Sequence, residues 1–382
     1  MRPSRTSVGS RTDCPPLDFT APLGAYLDQA QSLLADLLVG DEAAAWRFKW
    51  EHPRFRGLKA GEVKPATPGL DDAKLVTANS YAFESWEDLA TFAERASSDS
   101  AIVRFETAVD ALVTGERDVL EASLREDPSL IGARSARRHH ATLLHYVAAN
   151  GVEGWRQRTP PNAVEIARLL LDAGADPNAL ADMYDAPCTI LSMLVSSSPP
   201  ADAGLQRLLA ELLVDRGAAL EAPGSRWNAA VLTALAFGFL DTARALASRD
   251  AGVSDLAVAA GLGLLGETAR LLPSSSPERQ RAALALACVH GHVRVARLLL
   301  DAGVDPSQYN PEGFHAHSTP LHQAVWANHE PAVRLLVERG ARLDMRDLTY
   351  DGTALDWAVY GNRSEIADYL RDRGEPVPAG AP

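Results

Sequence analysis

The chain has 382 residues, of which 46% are hydrophobic and 23% are charged, and this composition is typical of a folded protein with a sizeable core. Its formal net charge of -13 argues against broad binding to nucleic acids or anionic membranes, because their phosphate groups would repel it. The cysteines, Cys14, Cys188 and Cys288, are odd in number and widely spaced, which excludes a disulfide framework and a zinc ribbon and favours a reducing, cytoplasmic location.

The two ends of the chain differ in composition from the rest. Residues 1–16 and 375–382 are rich in proline, and we expect both segments to be disordered. The opening residues contain arginine and serine but no apolar segment of the kind that a signal peptide needs. No stretch approaches the roughly 18 uncharged apolar residues of a membrane span, so we expect neither export nor membrane insertion.

Residues 17–100 carry helical periodicity that does not recur later in the chain. A helical pattern over 23–50 is broken by GEVKPATPG, and two further helices are predicted over 70–83 and 85–97. The last of these begins with Ser85, with Asp88 three residues on, which is close to a capping box. We therefore predict a small helical N-terminal module.

A segment in the middle of the chain is written twice. ARLLLDAGADP at 167–177 returns as ARLLLDAGVDP at 296–306 with one residue changed, and such duplication indicates repetition of structure. Each copy has the spacing of a helix that ends at a glycine, Gly174 or Gly303, before an Asp-Pro turn. Upstream, TLLHYVAANG and TPLHQAVWAN predict a second, shorter helix capped by Thr142 or Thr319. The predicted unit is helix, turn, helix and finger-like loop.

Three motifs, TPLHQA, GHVRVARLLLDAGVDP and DGTALDWAVYGN, resemble the ankyrin repeat. The resemblance implies an all-α solenoid of seven or eight units over residues 105–374. The first unit is degenerate and begins at Glu106, and the later units begin near Thr142, Thr189, Ala229, Ser254, Ala282, Thr319 and Thr353. The N-terminal module, with its F-x-S-W segment at Phe83 to Trp86, resembles the helical preface of bacterial ankyrin-repeat proteins.

The repeats depart from the family pattern at several connections. Two polar, proline-containing insertions, GVEGWRQRTPPN at 151–162 and SSSPPADAG at 196–204, are predicted to be loops. The connections after Asp250 and Ser275 are too short for a full finger, whereas the segment 305–318 predicts an enlarged one. We expect fingers that are missing in the middle of the repeats and enlarged near the C-terminal end.

Two motifs suggest cofactor sites. GLGLLG at 261–266 is a formal dinucleotide fingerprint, but the residues before it predict a helix rather than the required strand, and Gly263 falls at the turn of a repeat. His315, His317 and His322 could supply nitrogen ligands to zinc. However, the ankyrin resemblance gives His322, like His145, a structural role at the base of a finger. We expect no cofactor and no metal.

The basic segment RSARRHH at 134–140 leaves three interpretations open: an anion site, a solvated loop, or a clamp on a neighbouring acidic loop, such as one from the N-terminal module. We favour the solvated loop. The sequence contains no nucleophile elbow, phosphate loop or H-E-x-x-H motif. We therefore expect no catalytic residues and no enzymatic activity.

Function is expected in the concave groove that the resemblance implies, where large aromatic side chains would anchor a protein partner. The predicted partner-binding residues are Trp227, Phe237, His290, Tyr309, Phe314, His315, Trp326, Tyr350 and Tyr360. Some large rings, Phe237 and Trp357 above all, could instead fill the space beside the next unit.

The sequence predicts a protein-binding scaffold whose partner is basic or of mixed charge, with no role for nucleic acid or membrane. Two other functions stay open at this point. One is an enzyme with its activity in residues 17–100 or at a histidine-bound metal. The other is a structural protein that self-associates.

Overall fold

A computed structural model describes residues 16–96, 98–225, 227–249 and 253–374. The disorder predicted at both ends and the start of the short connection after Asp250 lie outside the described residues. The chain divides between residues 226 and 227 into two compact units, which are taken separately below. The boundary near residue 100 between N-terminal module and repeats stays a prediction.

The N-terminal part of the first unit is helical, as predicted. Its helices are α1 (Leu23–Val39), α2 (Glu42–Glu51), α3 (Ala60–Val63), α4 (Leu70–Ser80) and α5 (Trp86–Ala96), with single 3-10 turns at Pro53–Phe55 and Lys64–Ala66. Asp41 caps α2, since its Oδ1 accepts from Ala44 N at 2.7 Å. The helices bury a core that includes the edge-to-face rings of Phe48 and Phe55.

The rest of the first unit consists of three helix pairs and one short additional helix. They are α6 (Ser100–Thr114), α7 (Arg117–Glu126), α8 (Leu143–Val147), α9 (Ala163–Asp172), α10 (Ile190–Leu194), α11 (Ser198–Asp202) and α12 (Gln206–Asp215), with 3-10 turns at Pro128–Ile131 and Gly154–Arg156. The two insertions were predicted to be loops, and the second is wrong in part because it forms α11. Prolines in the first turn favour that helix, since their fixed φ suits it and their missing N–H would be unpaired there.

One finger of the first unit is a β-hairpin. Strands β1 (Leu180–Met183) and β2 (Ala186–Thr189) pair antiparallel, with Leu180 opposite Thr189. The turn residues Tyr184 and Asp185 both have positive φ, 54° and 61°, as a tight hairpin turn requires. The prediction of an all-α fold is confirmed, with this hairpin as a local addition.

The second unit contains five helix pairs among its described residues. They are α13 (Ala230–Ala236) with α14 (Leu240–Ala247), α15 (Leu256–Leu262) with α16 (Leu265–Leu271), α17 (Pro277–Val289) with α18 (Val293–Asp301), α19 (Pro320–Trp326) with α20 (Glu330–Glu338), and α21 (Ala354–Tyr360) with α22 (Ser364–Gly374). A 3-10 turn at Leu272–Ser274 replaces a finger between α16 and α17. Helix α17 starts earlier than predicted, because Ser276 caps it and accepts from Arg279 N at 3.2 Å.

The duplicated segment folds as its spacing predicts. In α18, Val295, Ala296, Leu299 and Leu300 are buried, and the matching residues of α9 are buried in the same way. Both helices are followed by a glycine in the left-handed region, with φ of 96° at Gly174 and 91° at Gly303. Burial of one apolar stripe per helix therefore forms the core of each repeat.

The basic segment 134–140 was expected to be a solvated loop, and for Arg137 this is wrong. Its side chain is only 2% exposed, and it donates to Tyr81 O at 2.9 Å and to Glu106 Oε2 at 3.0 Å. The neighbouring Arg138 N donates to Ala82 O at 2.9 Å. The segment thus acts as a clamp, as one alternative proposed, but its acidic partners are Glu106 and Glu153, and it contacts the N-terminal helices through the backbone oxygens of Tyr81 and Ala82.

The clamp continues into a buried charge cluster, formed by Glu106, Arg137, Glu153 and Arg156. Arg137 contacts both glutamates, and so does Arg156, so that two positive and two negative charges alternate. Burial alone would raise the pKa of Glu153, but the adjacent Arg137 and His139 hold it well below its ordinary value. The glutamates are 31 and 16 residues from Arg137 in sequence, so periodicity could not predict this arrangement.

Candidate functional site

Aromatic rings form a continuous series in the second unit, which we call the aromatic track. Its members, in order of contact, are Trp227, Phe237, His315, His317, Trp357 and Trp326, with successive ring centroids 5.4, 6.2, 6.0, 6.1 and 5.9 Å apart. All six side chains are partly exposed. The track brings together four of the residues predicted to bind a partner and adds His317 and Trp357.

The enlarged finger at 305–318 builds the middle of the track. His315 Nε2 donates to Ala236 O at 2.7 Å, so the finger reaches back to the end of α13, 79 residues earlier. The finger is closed at its base by Asn310 N, which donates to Ser318 O at 2.9 Å. The enlarged finger therefore lies beside the end of α13.

Three other predicted residues hold the finger and its neighbours in place. Phe314 is only 8% exposed and lies under the guanidinium of Arg279, 6.0 Å from the ring centroid, so it is a buried anchor rather than a partner contact. Tyr309 donates from its hydroxyl to Arg346 O at 2.7 Å, which links two successive fingers. His290 Nε2 donates to Leu235 O at 2.9 Å, which joins α17 to α13.

Beyond the track lies the most exposed apolar surface of the second unit, which we call the terminal patch. It consists of Leu348 (69% exposed), Tyr350 (48%), Val359 (53%) and Tyr360 (67%). The patch adjoins the track, since the rings of His317 and Tyr350 are 6.5 Å apart. Burial, the negative charge of Asp347 and the phenol of Tyr360 raise the pKa of Tyr350.

Sequence reasoning missed the two aliphatic members of the patch. Val359 occupies the same repeat position as Val325, which is fully buried, so the repeat pattern alone would place Val359 in the core. Within the described residues no helix pair follows α22, and Val359 is therefore left exposed. The last position in a series of units is the signal that could have identified it.

Asp347 fixes the loop that carries Leu348 and Tyr350. Its carboxylate accepts from Thr349 N (2.9 Å), Tyr350 N (2.7 Å), Gly352 N (2.9 Å) and Trp357 Nε1 (3.0 Å). Burial would raise the pKa of Asp347, but these four donors hold it below its ordinary value. The carboxylate therefore stays ionised and ties the terminal patch to the aromatic track.

Two of the three histidines considered as zinc ligands, His315 and His322, donate to backbone oxygens instead. His322 Nδ1 accepts from Thr319 Oγ1 at 2.8 Å, and its Nε2 donates to Gly352 O at 3.1 Å, so both ring nitrogens are used. His145 accepts from Thr142 Oγ1 at 2.9 Å in the same way. In the part of the chain that the structure describes, no three His, Cys, Asp or Glu side chains are placed to hold a metal ion.

The motif GLGLLG is the turn of a repeat, as the sequence predicted. Gly261 lies near the end of α15, Gly263 directly follows that helix with φ of 79°, and Gly266 lies in α16. A helix, not a strand, precedes the glycines, so the geometry of a dinucleotide-binding loop is not formed.

Comparison with known proteins agrees with the repeat architecture. Models of ankyrin repeats match residues 256–347, 310–378 and 139–182. Ankyrin repeat and SAM domain-containing protein 6 of Mus musculus is 32% identical over 105 residues, 28% of this chain and 12% of that protein. NF-kappa-B inhibitor cactus of Drosophila melanogaster is 31% identical over 93 residues, 23% of this chain and 18% of that protein. The chain thus spans less than a fifth of either relative.

Among solved structures, the human ASB11 ankyrin repeat domain is similar with a TM-score of 0.35 and 18% identity, over 70% of this chain and 98% of that domain. Among the described residues, every helix is too short or too polar to cross a membrane.

Proposed function

The chain belongs to the ankyrin-repeat family, whose repeats generally act as protein-interaction modules. We propose that it is a cytoplasmic, non-enzymatic scaffold. We further propose that it binds a protein partner through the aromatic track and the terminal patch. The observation that carries the proposal is the contact between these two surfaces. A continuous row of half-buried rings is joined at His317 to a patch of four apolar side chains that are each about half exposed or more.

Such a surface has the composition of an interaction site. Aromatic side chains bury large areas at little cost in conformational entropy, and they dominate the binding free energy of many interfaces. Exposed apolar residues that cluster, rather than standing singly, commonly mark a place where another molecule is bound. Tyr350 and Tyr360 also carry hydroxyl groups that can form hydrogen bonds with a partner.

The surface is held in place before any partner arrives. His315 fixes the enlarged finger to α13, and Asp347 fixes the loop that presents Tyr350. A preorganised surface loses less conformational entropy on binding, which favours affinity and specificity. An array of aromatic rings held in this way is suited to recognition of a partner.

The experiment is an affinity capture from native lysate with three forms of the full chain: wild type, the double variant Tyr350→Ala/Tyr360→Ala, and the control Val119→Ser. Val119 is 43% exposed on α7 in the first unit, so the control removes exposed apolar surface elsewhere. We expect a partner that wild type and control retain and the double variant loses. Equal retention by all three proteins would reject the aromatic surface as the binding site.

A further inference from the structure

Resting on the proposed function, a further feature of the terminal patch indicates the chemistry of its partner. Asp356 and Tyr360 are four residues apart on α21 and both are exposed, so they lie on one face of the helix, one turn apart. Asp356 caps the helix, with Oδ2 accepting from Thr353 N at 2.8 Å, and these hydrogen bonds lower its pKa and keep it ionised. An exposed phenol ring thus adjoins an exposed carboxylate.

The charge around this pair is negative. Asp347 and Asp351 lie on the loop that leads to α21, which brings the number of carboxylates in this segment to three. One cation, Arg346, also lies near the pair: its Nη1 donates to Asp351 O at 2.5 Å, and its positive charge helps to lower the pKa of Asp356. Arg363 likewise donates to Trp326 O at 3.2 Å. The electron-rich ring faces and the excess of carboxylates both favour a cation.

The same unit shows what such a combination binds. Between α20 and α22, the guanidinium of Arg334 lies 4.2 Å from the ring centroid of Tyr369 and pairs with Glu330 at 2.6 Å. Glu330 and Arg334 are one helical turn apart, as are Asp356 and Tyr360. The ring of Tyr369 is thus stacked by an arginine that a carboxylate holds. Among the described residues, no arginine lies over the ring of Tyr360.

We propose that Tyr360 and Asp356 bind an arginine side chain of the partner, stacked on the Tyr360 ring and paired with the Asp356 carboxylate. Arginine fits better than lysine, because its flat guanidinium can stack on a ring and donate to a carboxylate at the same time. The partner segment is therefore cationic, which sharpens the broader expectation of a basic or mixed charge.

The test uses the full chain and a labelled peptide of alternating arginine and glycine, with binding followed by fluorescence anisotropy at physiological salt. A peptide with citrulline in place of arginine keeps the shape and loses the charge. The site variant is Asp356→Asn/Tyr360→Leu. Its matched control, Glu338→Gln/Tyr184→Leu, removes the same charge and the same ring type from other exposed positions.

We expect the site variant to bind the arginine peptide about tenfold more weakly than wild type, the control within about twofold, and the citrulline peptide to bind at least about tenfold more weakly than the arginine peptide. The single variant Tyr360→Leu, which leaves the Thr353 cap intact, should show part of the loss. Equal binding of the two peptides, or equal losses in the two double variants, would overturn the inference and indicate attraction by net charge alone. Tighter binding of a proline-rich peptide of the same length would overturn it as well.

The captured partner separates this inference from the proposed function. If Tyr350→Ala/Tyr360→Ala abolishes capture while Asp356→Asn leaves it unchanged, the aromatic surface stands and the arginine site falls. If Tyr350→Ala/Tyr360→Ala leaves capture unchanged, the proposed function falls, whatever the peptides show.

Discussion

At the residue scale, buried imidazoles form hydrogen bonds that connect helices and fingers. His145 is fully buried, and burial together with the nearby Arg134 and His139 lowers its pKa to about 3. His322 is buried at the same repeat position, and burial lowers its pKa too. The resemblance to the ankyrin repeat predicted this structural role from the letters TLLH and TPLH alone, because a histidine after a capping threonine has its Nδ1 beside the threonine hydroxyl.

The depressed pKa of His145 predicts a pH dependence of stability. In the unfolded chain the imidazole binds a proton near pH 6.5, whereas in the folded chain it does so only near pH 3. Protonation of His145 therefore favours unfolding. As the pH is lowered from about 6.5 to about 3, the free energy of unfolding should fall by up to about 1.4 kcal/mol per pH unit. Urea unfolding at several pH values should give a shallower dependence for His145→Gln than for wild type. Identical slopes would show that His145 does not titrate in this window.

Two glycines of GLGLLG should respond oppositely to alanine. Gly266 lies in α16 with no atom within 4 Å of an added Cβ, so Gly266→Ala should stabilise the fold by about 0.5 to 1 kcal/mol. Gly263 has φ of 79°, and an added Cβ would lie 2.8 Å from the His292 ring, so Gly263→Ala should destabilise by about 1 kcal/mol or more. Chemical denaturation of both variants measures the difference, and equal effects would contradict the assigned backbone.

At the element scale, sequence predicted the helix pairs well and the loops poorly. The helices follow from apolar spacing, threonine caps and terminal glycines, which are local signals. The path of a loop depends on distant partners instead. The contact of His315 with Ala236 joins residues 79 apart, and Arg137 meets Tyr81 across 56 residues. No periodicity in the sequence records such contacts, so neither the reach of the long finger nor the burial of Arg137 was predictable.

The buried charge cluster predicts an unequal pair of arginine variants. Arg137→Met leaves Glu106 and Glu153 without one of their two cations in a buried site, and we expect a loss of about 3 to 5 kcal/mol in unfolding free energy. The neighbouring Arg138→Met removes an exposed side chain that donates to Asn79 Oδ1 at 2.9 Å, and should cost about 1 kcal/mol or less. Thermal unfolding of the two variants gives the comparison. Equal losses would show that the cluster contributes nothing specific.

At the scale of the whole molecule, each helix pair obtains its stability from the apolar surface that it shares with its neighbours. The similarity of the units made this architecture predictable from one duplicated segment. The proposed binding surface was only partly predictable, because it arises where the repeats depart from their pattern: at one enlarged finger, and at the exposed Val359 and Tyr360 of the last described helix pair.

Because stability comes from shared apolar surface, we expect chelators to have no effect on the thermal stability of the protein. Addition of EDTA should leave the melting temperature of the full chain unchanged within error, because the histidines near the enlarged finger hold backbone oxygens. Calorimetry with and without the chelator is the measurement. A fall of several degrees in the melting temperature would instead indicate a metal site formed by His315, His317 and His322.

The most direct test of the central claim is hydroxyl-radical footprinting of the full chain with and without its captured partner. The terminal patch should be covered in the complex, so the oxidation rates of Tyr350, Tyr360 and Leu348 should fall about fivefold or more. Tyr184 and Leu180 on the β-hairpin, which are 44% and 46% exposed, should keep their rates and serve as internal references. Unchanged oxidation of Tyr350 and Tyr360 in a saturated complex, with protection of the hairpin or the insertions instead, would contradict the claim that recognition centres on the aromatic track and the terminal patch.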